Sequence, residues 1–141
     1  MKQMKNIKKK IEWEEYYDPG FDWDNRSFYA DNTLTEDFIR EFKDKVDWDY
    51  ISKYQTLSED FMREFQDKVS WGFISARQTL SEDFIREFKD SVYWSYISDC
   101  QTLSEDFIRE FKDRVTWLWI SRSQILSKEF KKEFKKELRA R

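Results

Sequence analysis

The residues of this chain that could do chemistry are mostly carboxylates, hydroxyls and indoles, and they recur at fixed intervals. Glu-Asp pairs such as Glu82-Asp83 bring two acids together, as general acid–base catalysis requires. Each pair falls in the first turn of an expected helix, where complementing the positive end of the helix dipole explains it better. Ser52, Ser75, Ser98 and Ser121 have no base within the pattern, and the chain contains no histidine, which removes the commonest general base and metal ligand. Hydrogen bonding to backbone is the role expected of these serines. Cys100 is the sole cysteine, in a column that elsewhere holds Tyr54, Arg77 and Ser123, so its thiol reads as incidental. A lone cysteine allows no intramolecular disulfide and suits a reducing compartment. Two isolated glycines cannot build a phosphate-binding loop. Trp48, Trp71, Trp94 and Trp117 could stack a ligand, but their fixed identity favours core. Gln55, Gln78, Gln101 and Gln124 are expected to satisfy backbone groups at each junction. The inventory points away from an enzyme and calls for no cofactor and no metal.

The elements that must position these residues repeat with them. A unit beginning at Leu34 recurs at Leu57, Leu80 and Leu103 with a step of 23 residues, and fades into a partial copy from Leu126. Self-similarity at such a period signals a repeat architecture. In Leu57-Ser58-Glu59-Asp60, Ser58 has the position of an N-cap and Leu57 with Met62 the spacing of a hydrophobic staple. Phe61, Met62, Phe65 and Val69 share one helical face, and Glu59→Arg63 and Glu64→Lys68 have the i,i+4 spacing of ion pairs on the other. A second, shorter helix restarts at Val46-Asp47-Trp48, with Asp47 as cap and Val46/Ile51 as staple, and ends near Gln55. Connections of one or two residues then force a sharp turn at each junction. A single long helix is excluded, because its apolar stripe would precess by roughly 140° per repeat and form no continuous seam. Two glycines and one proline are too few turn-formers for a sandwich or barrel. The expected fold is all-α, with short two-helix repeats stacked into an α-solenoid or spiral between N- and C-terminal capping units. A lone unit buries too little apolar surface to fold by itself.

The flanks differ from the repeats. Residues 1–33 read as a basic, frayed lead-in (1–10) followed by a degenerate, aromatic-rich cap. In that cap Asp18-Pro19-Gly20 marks a turn, and Phe21-Asp22-Trp23-Asp24 echoes Val46-Asp47-Trp48-Asp49. Four repeats fill 34–125, and 126–141 form a C-terminal capping helix in which Lys131 replaces the Ile of the pattern because nothing follows to cover it. Charge is uneven: five lysines lie in 1–10, and 126–141 carry seven basic against three acidic residues, so the −3 of the whole leaves about −12 on 11–125. An acidic body with basic ends makes nucleic acid a poor partner. No run approaches the ~20 apolar residues of a membrane span, and no signal-peptide segment follows the basic start.

Comparing the copies with one another shows where they vary. First helices are nearly constant, whereas the second helices change at Asp47/Ser70/Tyr93/Thr116, Asp49/Gly72/Ser95/Leu118, Lys53/Ala76/Asp99/Arg122 and Tyr54/Arg77/Cys100/Ser123. The column Tyr50/Phe73/Tyr96/Trp119 stays aromatic but changes type. These positions fall on one arc, opposite Trp48, Ile51, Ser52 and Gln55. Either they are a recognition face, as repeat arrays use, or they drift neutrally. As recognition residues the candidates are Tyr50, Phe73, Tyr96, Trp119, Asp49, Leu118, Lys53, Asp99 and Arg122, with Leu118 and Trp119 expected to be exposed together.

The repeat, clearest in Leu80-Ser-Glu-Asp-Phe-Ile-Arg-Glu-Phe-Lys-Asp90 with Trp94, Ile97, Ser98 and Gln101, resembles the tandem repeats of about 23 residues in uncharacterised proteins of giant DNA viruses and some phages. The match covers 34–125. It implies a viral source and no particular activity; the lone cysteine and the lack of a signal or membrane segment lead to the expectation of a soluble intracellular protein, in the host cytoplasm if the source is viral. The expected function is non-enzymatic binding of another protein, a host factor if the source is viral. Nucleic-acid binding by repeat-wise base readout and a purely structural spacer are the alternatives.

Overall fold

Each Leu-Ser or Leu-Thr step at a repeat start begins a helix because the hydroxyl takes up a free N–H of the first turn. Thr35, Ser58, Ser81, Ser104 and Ser127 accept from the N–H of Phe38, Phe61, Phe84, Phe107 and Phe130, each at 3.1 Å. The structure, a computed structural model, describes the backbone of residues 5–7 and 10–139 and the side chains of 7 and 13–139. In chain order it has β1 (Lys5–Ile7), a 3-10 helix (Lys10–Tyr17), α1 (Arg26–Asp31) and β2 (Asn32–Leu34). The repeats follow: α2 (Glu36–Glu41) with α3 (Trp48–Tyr54), and α4 (Glu59–Glu64) with α5 (Trp71–Arg77). After them come α6 (Glu82–Glu87) with α7 (Trp94–Cys100), α8 (Glu105–Glu110) with α9 (Trp117–Ser123), and finally α10 (Lys128–Glu133) and α11 (Lys135–Arg139). The protein is an all-α repeat protein whose helices pack with their counterparts in adjacent repeats. The chain divides into two compact units, Met1–Ser70 and Trp71–Arg141.

First helices are shorter than the sequence suggests. They stop at the second Phe of the pattern: Phe65 has φ −110° and ψ 30°, and its equivalents are within a few degrees of it. The chain then turns so that the N–H of Val69 bonds the carbonyl of Phe65 at 3.0 Å. Val69 is buried with Phe61, Met62 and Phe65, but it lies beyond the helix, not on its face. Connections therefore run to several residues instead of one or two. The expected Glu64→Lys68 pair also gives way. Arg63 pairs with Asp60 at 2.8 Å, Glu64 with Arg40 of the preceding repeat at 2.9 Å, and Lys68 with Asp44 at 3.9 Å. Once the helix ends at Glu64, Lys68 no longer sits above it.

In the first unit, residues 5–7 are not a frayed lead-in. β1 pairs in parallel with β2, Ile7 opposite Leu34, and Ile7 is fully buried. The rest of the expected lead-in at 1–4 and 8–9 lies outside the described residues. Asp18-Pro19-Gly20 does turn, with Asp18 Oδ1 accepting from Gly20 N–H at 2.9 Å and its carbonyl from Phe21 N–H at 3.0 Å. No positive φ is used at Gly20, so the turn needs only the Asp side chain. Helix α1 packs against α3. Trp23 lies 5.2 Å from Phe42 and 6.2 Å from Phe38, much as Trp48 lies 5.0 Å from Phe65 and 6.2 Å from Phe61. The echo of Trp48 at Trp23 is thus an equivalence of position.

In the second unit α5 packs on α7 and α7 on α9. Phe84, Ile85, Phe107, Ile108 and Phe130 are fully buried. Each Trp spans to the Phe pair of the next repeat: Trp94 is 5.0 Å from Phe111, and Trp117 is 5.0 Å from Phe134. Their indole N–H groups bond the carbonyls of Lys89 and Lys112 at 2.9 and 3.1 Å. The C-terminal segment is two helices, not one. It breaks at Phe134 with the φ of about −108° found at the other second-Phe positions, and α11 packs against α9. Lys131 is exposed.

Candidate functional site

Most of the constant polar residues turn out to be fasteners between repeats, and what they leave over defines the candidate site. Gln101 Oε1 accepts from Leu80 N–H at 3.1 Å, while its Nε2 donates to the carbonyls of Ser75 at 2.9 Å and Gln78 at 2.7 Å. Gln124 does the same for Leu103, Ser98 and Gln101, and in the first unit Gln55 does so for Leu34, Tyr29 and Asn32. The extended segment after each second helix would otherwise leave these backbone groups buried and unpaired. Ser75 and Ser98 donate or accept in the same lattice. Ser98 Oγ donates to the Trp94 carbonyl at 2.7 Å and accepts Thr116 N–H at 2.9 Å, and Ser75 Oγ accepts Tyr93 N–H at 3.0 Å.

The N-terminal cap keeps this chemistry with a different side chain. Tyr29 Oη donates to the Trp23 carbonyl at 2.7 Å and accepts Asp47 N–H at 2.8 Å, which is the work Ser52 does for Ser70 N–H. Burial pushes the Tyr29 phenol well above its ordinary range; the hydrogen bond from Asp47 N–H works against this, while the charges of Asp47, Asp24 and Asp22 add to it.

Carboxylates complete the lattice. Glu82 accepts both the N–H and the hydroxyl of Ser104, at 2.7 and 3.0 Å, and Glu36 holds Ser58 in the same way. Arg86 bonds Asp83 at 2.7 Å, reaches Glu110 of the next repeat at 2.9 Å, and lies 5.3 Å over the Phe107 ring. The acid pairs are therefore divided between two structural partners, an arrangement beyond the dipole role that their position suggested. Among the described residues no cluster of His, Cys, Asp or Glu could hold a metal ion, and no helix is long and apolar enough to cross a membrane.

Of the nine candidate recognition residues, Asp99 joins this lattice by accepting from the Ser123 hydroxyl of the following repeat, and each unit presents its own set. In the first, Asp49 is exposed while Tyr50 and Lys53 are half-buried. The Tyr50 ring sits 5.4 Å from Tyr29 and 6.1 Å from Tyr54, and Lys53 Nζ lies 5.1 Å over Tyr54. Tyr54 accepts from Arg26 Nε at 2.7 Å. Burial acts to raise the Tyr54 phenol, but the hydrogen bonds and charges of Lys53 and Arg26 outweigh it and bring the group below its usual value.

In the second unit, the stacking of α5, α7 and α9 sets Phe73, Tyr96 and Trp119 at the same position on successive helices. Tyr96 is 44% exposed, and Asp99 and Arg122 are exposed. Leu118 and Trp119 are half-buried, contrary to the expected exposed pair, and the Arg122 guanidinium lies 5.9 Å over the Trp119 ring. A half-buried Trp beneath an arginine is partly spent on its own unit.

Sequence reasoning missed two exposed apolar residues here. Tyr93, 54% exposed, stacks on Tyr96 with centroids 6.2 Å apart and rings 24° from parallel. Its signal was available, since Tyr93 stands where Asp47 caps the equivalent helix. Ile125, 99% exposed, replaces the Thr of the other repeats. Cys100 is exposed beside Asp99. Partial burial of the thiol and the Asp99 charge raise its pKa, which opposes formation of a reactive thiolate. Comparison with protein-family models, curated proteins and solved structures found no match to this chain.

Proposed function

We propose that this chain is a non-enzymatic helical-repeat module that binds another protein through the outward side of its second helices. Tyr93 and Tyr96 supply the anchors in the second unit, with Trp119 and Arg122 beside them. The carrying observation is a division of labour within each repeat. Gln, Ser, Glu, Arg and Trp at constant positions hold neighbouring repeats together, whereas the outward column keeps an aromatic side chain that this lattice does not require. Rigid aromatic rings dominate interface energetics, and Tyr93 and Tyr96 expose about half of their area. The charge of about −12 on 11–125 favours a partner with a basic surface and opposes a nucleic-acid backbone.

The test is capture of binding partners by the full chain in parallel with a Tyr93→Ala/Tyr96→Ala variant whose melting temperature matches the parent. A protein retained by the parent and lost by the variant is the expected result. Retention of the same set by both, or recovery of nucleic acid alone, would contradict the assignment.

A further inference from the structure

The C-terminal cap reverses the charge pattern of the repeats before it. Lys128 stands where Glu36, Glu59, Glu82 and Glu105 stand, and Lys136 where Asp44, Asp67, Asp90 and Asp113 stand. Lys131 takes the place of the fully buried Ile39, Met62, Ile85 and Ile108. A terminal repeat needs a polar outer face, but charge of either sign supplies one. Here the outcome is one-sided. Lys128, Lys131, Lys132, Lys135 and Arg139 are exposed, and among the described residues none of them forms an ion pair. Two open cavities in the second unit, of about 290 and 610 Å³, share Lys131 and Lys135. Arg139 lines the first, and Lys128 and Lys132 line the second, so the five cations form one continuous face. Of the described acids only Glu129 lines it, since Glu133 turns to Arg109 at 3.0 Å. Carbon is exposed in the same place. Leu126 and Leu138 line the first cavity and are half-buried, whereas Leu103 and Val115 at the equivalent positions are buried. Ile125, the residue before Leu126, is 99% exposed.

We infer that this basic face of the C-terminal cap, with Leu126 and Leu138 in it, docks on the surface of an anionic lipid bilayer. The argument is charge complementarity joined to exposed aliphatic carbon. Lysines near an anionic leaflet each strengthen binding about fivefold, and headgroups are numerous and mobile enough to meet separate lysines without a preformed cradle. Aliphatic side chains beside such lysines can enter the boundary between headgroups and acyl chains, as interfacial helices use theirs. Single-stranded nucleic acid fits the face less well, because it is held largely by stacking on exposed rings, and Phe130 and Phe134 are buried. A second copy of the chain is also a poorer fit. The acids of the repeat before the cap are already engaged, Glu105 by Ser127 at 2.6 and 3.0 Å and Asp106 by Arg109 at 2.9 Å.

The experiment is co-sedimentation of the full chain with vesicles of phosphatidylcholine alone, or carrying about 30% phosphatidylserine, at roughly 0.1 M salt. Binding is expected to the anionic vesicles only. Lys131→Gln/Lys135→Gln should weaken it about tenfold or more at an unchanged melting temperature, since both side chains are exposed. Lys131→Arg/Lys135→Arg should retain it. Lys89→Gln/Lys112→Gln makes the same charge change on exposed lysines elsewhere in the unit, and should weaken binding by no more than about threefold. Absence of binding to anionic vesicles, or equal loss from the two Gln pairs, would overturn the assignment. So would tighter binding of a single-stranded RNA through Lys131 and Lys135, which would assign the face to nucleic acid. Self-association at low salt that Lys131→Gln/Lys135→Gln abolishes would overturn it in favour of a second copy.

Discussion

A glutamine amide joins one repeat to the next with three hydrogen bonds, and that explains why the residue does not vary. Gln101 is almost fully buried; its amide oxygen accepts one backbone N–H and its amide nitrogen donates to two backbone carbonyls, all of them buried. Replacing it by Leu keeps the volume roughly but orphans all three groups. At about 1 kcal/mol for each hydrogen bond lost, Gln101→Leu should lower stability by about 3 kcal/mol. Chemical denaturation checks this, and a loss under 1 kcal/mol would mean that water or relaxation replaces the amide. This role was legible in the sequence from invariance at a junction together with the donor and acceptor of the side chain. The partners were not legible, because they lie 21 to 26 residues away and only the stacking brings them together. The same applies to Glu82, whose place in a first turn suggested a helix-dipole role while its hydrogen bonds reach Ser104.

Among the elements, the second helices show that one starting grammar can be fulfilled in different ways. Asp47 caps α3 by accepting Tyr50 N–H at 3.1 Å, but Tyr93 and Thr116 make no side-chain cap for α7 and α9. Those helices form anyway, since Ile97 and Ile120 are fully buried and the lattice serine fixes the residue before each Trp. Thr116→Asp should therefore restore a cap and stabilise the protein by about 1 kcal/mol, seen as a higher melting temperature. An unchanged or lowered melting temperature would show that the backbone there cannot adopt the capping geometry. Helix type and starting points were legible from Ser and Leu spacing. Helix ends were not, because Phe65-Gln66-Asp67-Lys68-Val69 contains no Gly or Pro to mark the break, and its i,i+4 apolar spacing imitates a continuing helix.

At the scale of the molecule, periodicity carried most of the fold. It set the all-α class, the register and the core columns, while irregular flanks resisted it. β1 was unreadable because its short basic segment has no strand pattern. Of the candidate surface, the aromatic column was visible as variation between copies. The half-burial of Trp119 and the stacking of Tyr93 on Tyr96 were not, since both depend on neighbouring side chains. The central claim is that constant columns build the repeats and outward columns are free for recognition. Its most direct test is a single protease-resistance scan of all substitutions across residues 80–103 in the full chain. Intolerance is expected at Leu80, Phe84, Ile85, Phe88, Val92, Trp94, Ile97, Ser98 and Gln101, with Trp94→Ala losing about 3 kcal/mol. At Tyr93, Ser95, Tyr96, Asp99 and Cys100 most substitutions should stay within about 0.5 kcal/mol of the parent. If Tyr96 proved as intolerant as Trp94, the outward aromatics would belong to the structural lattice and the division of labour would be contradicted.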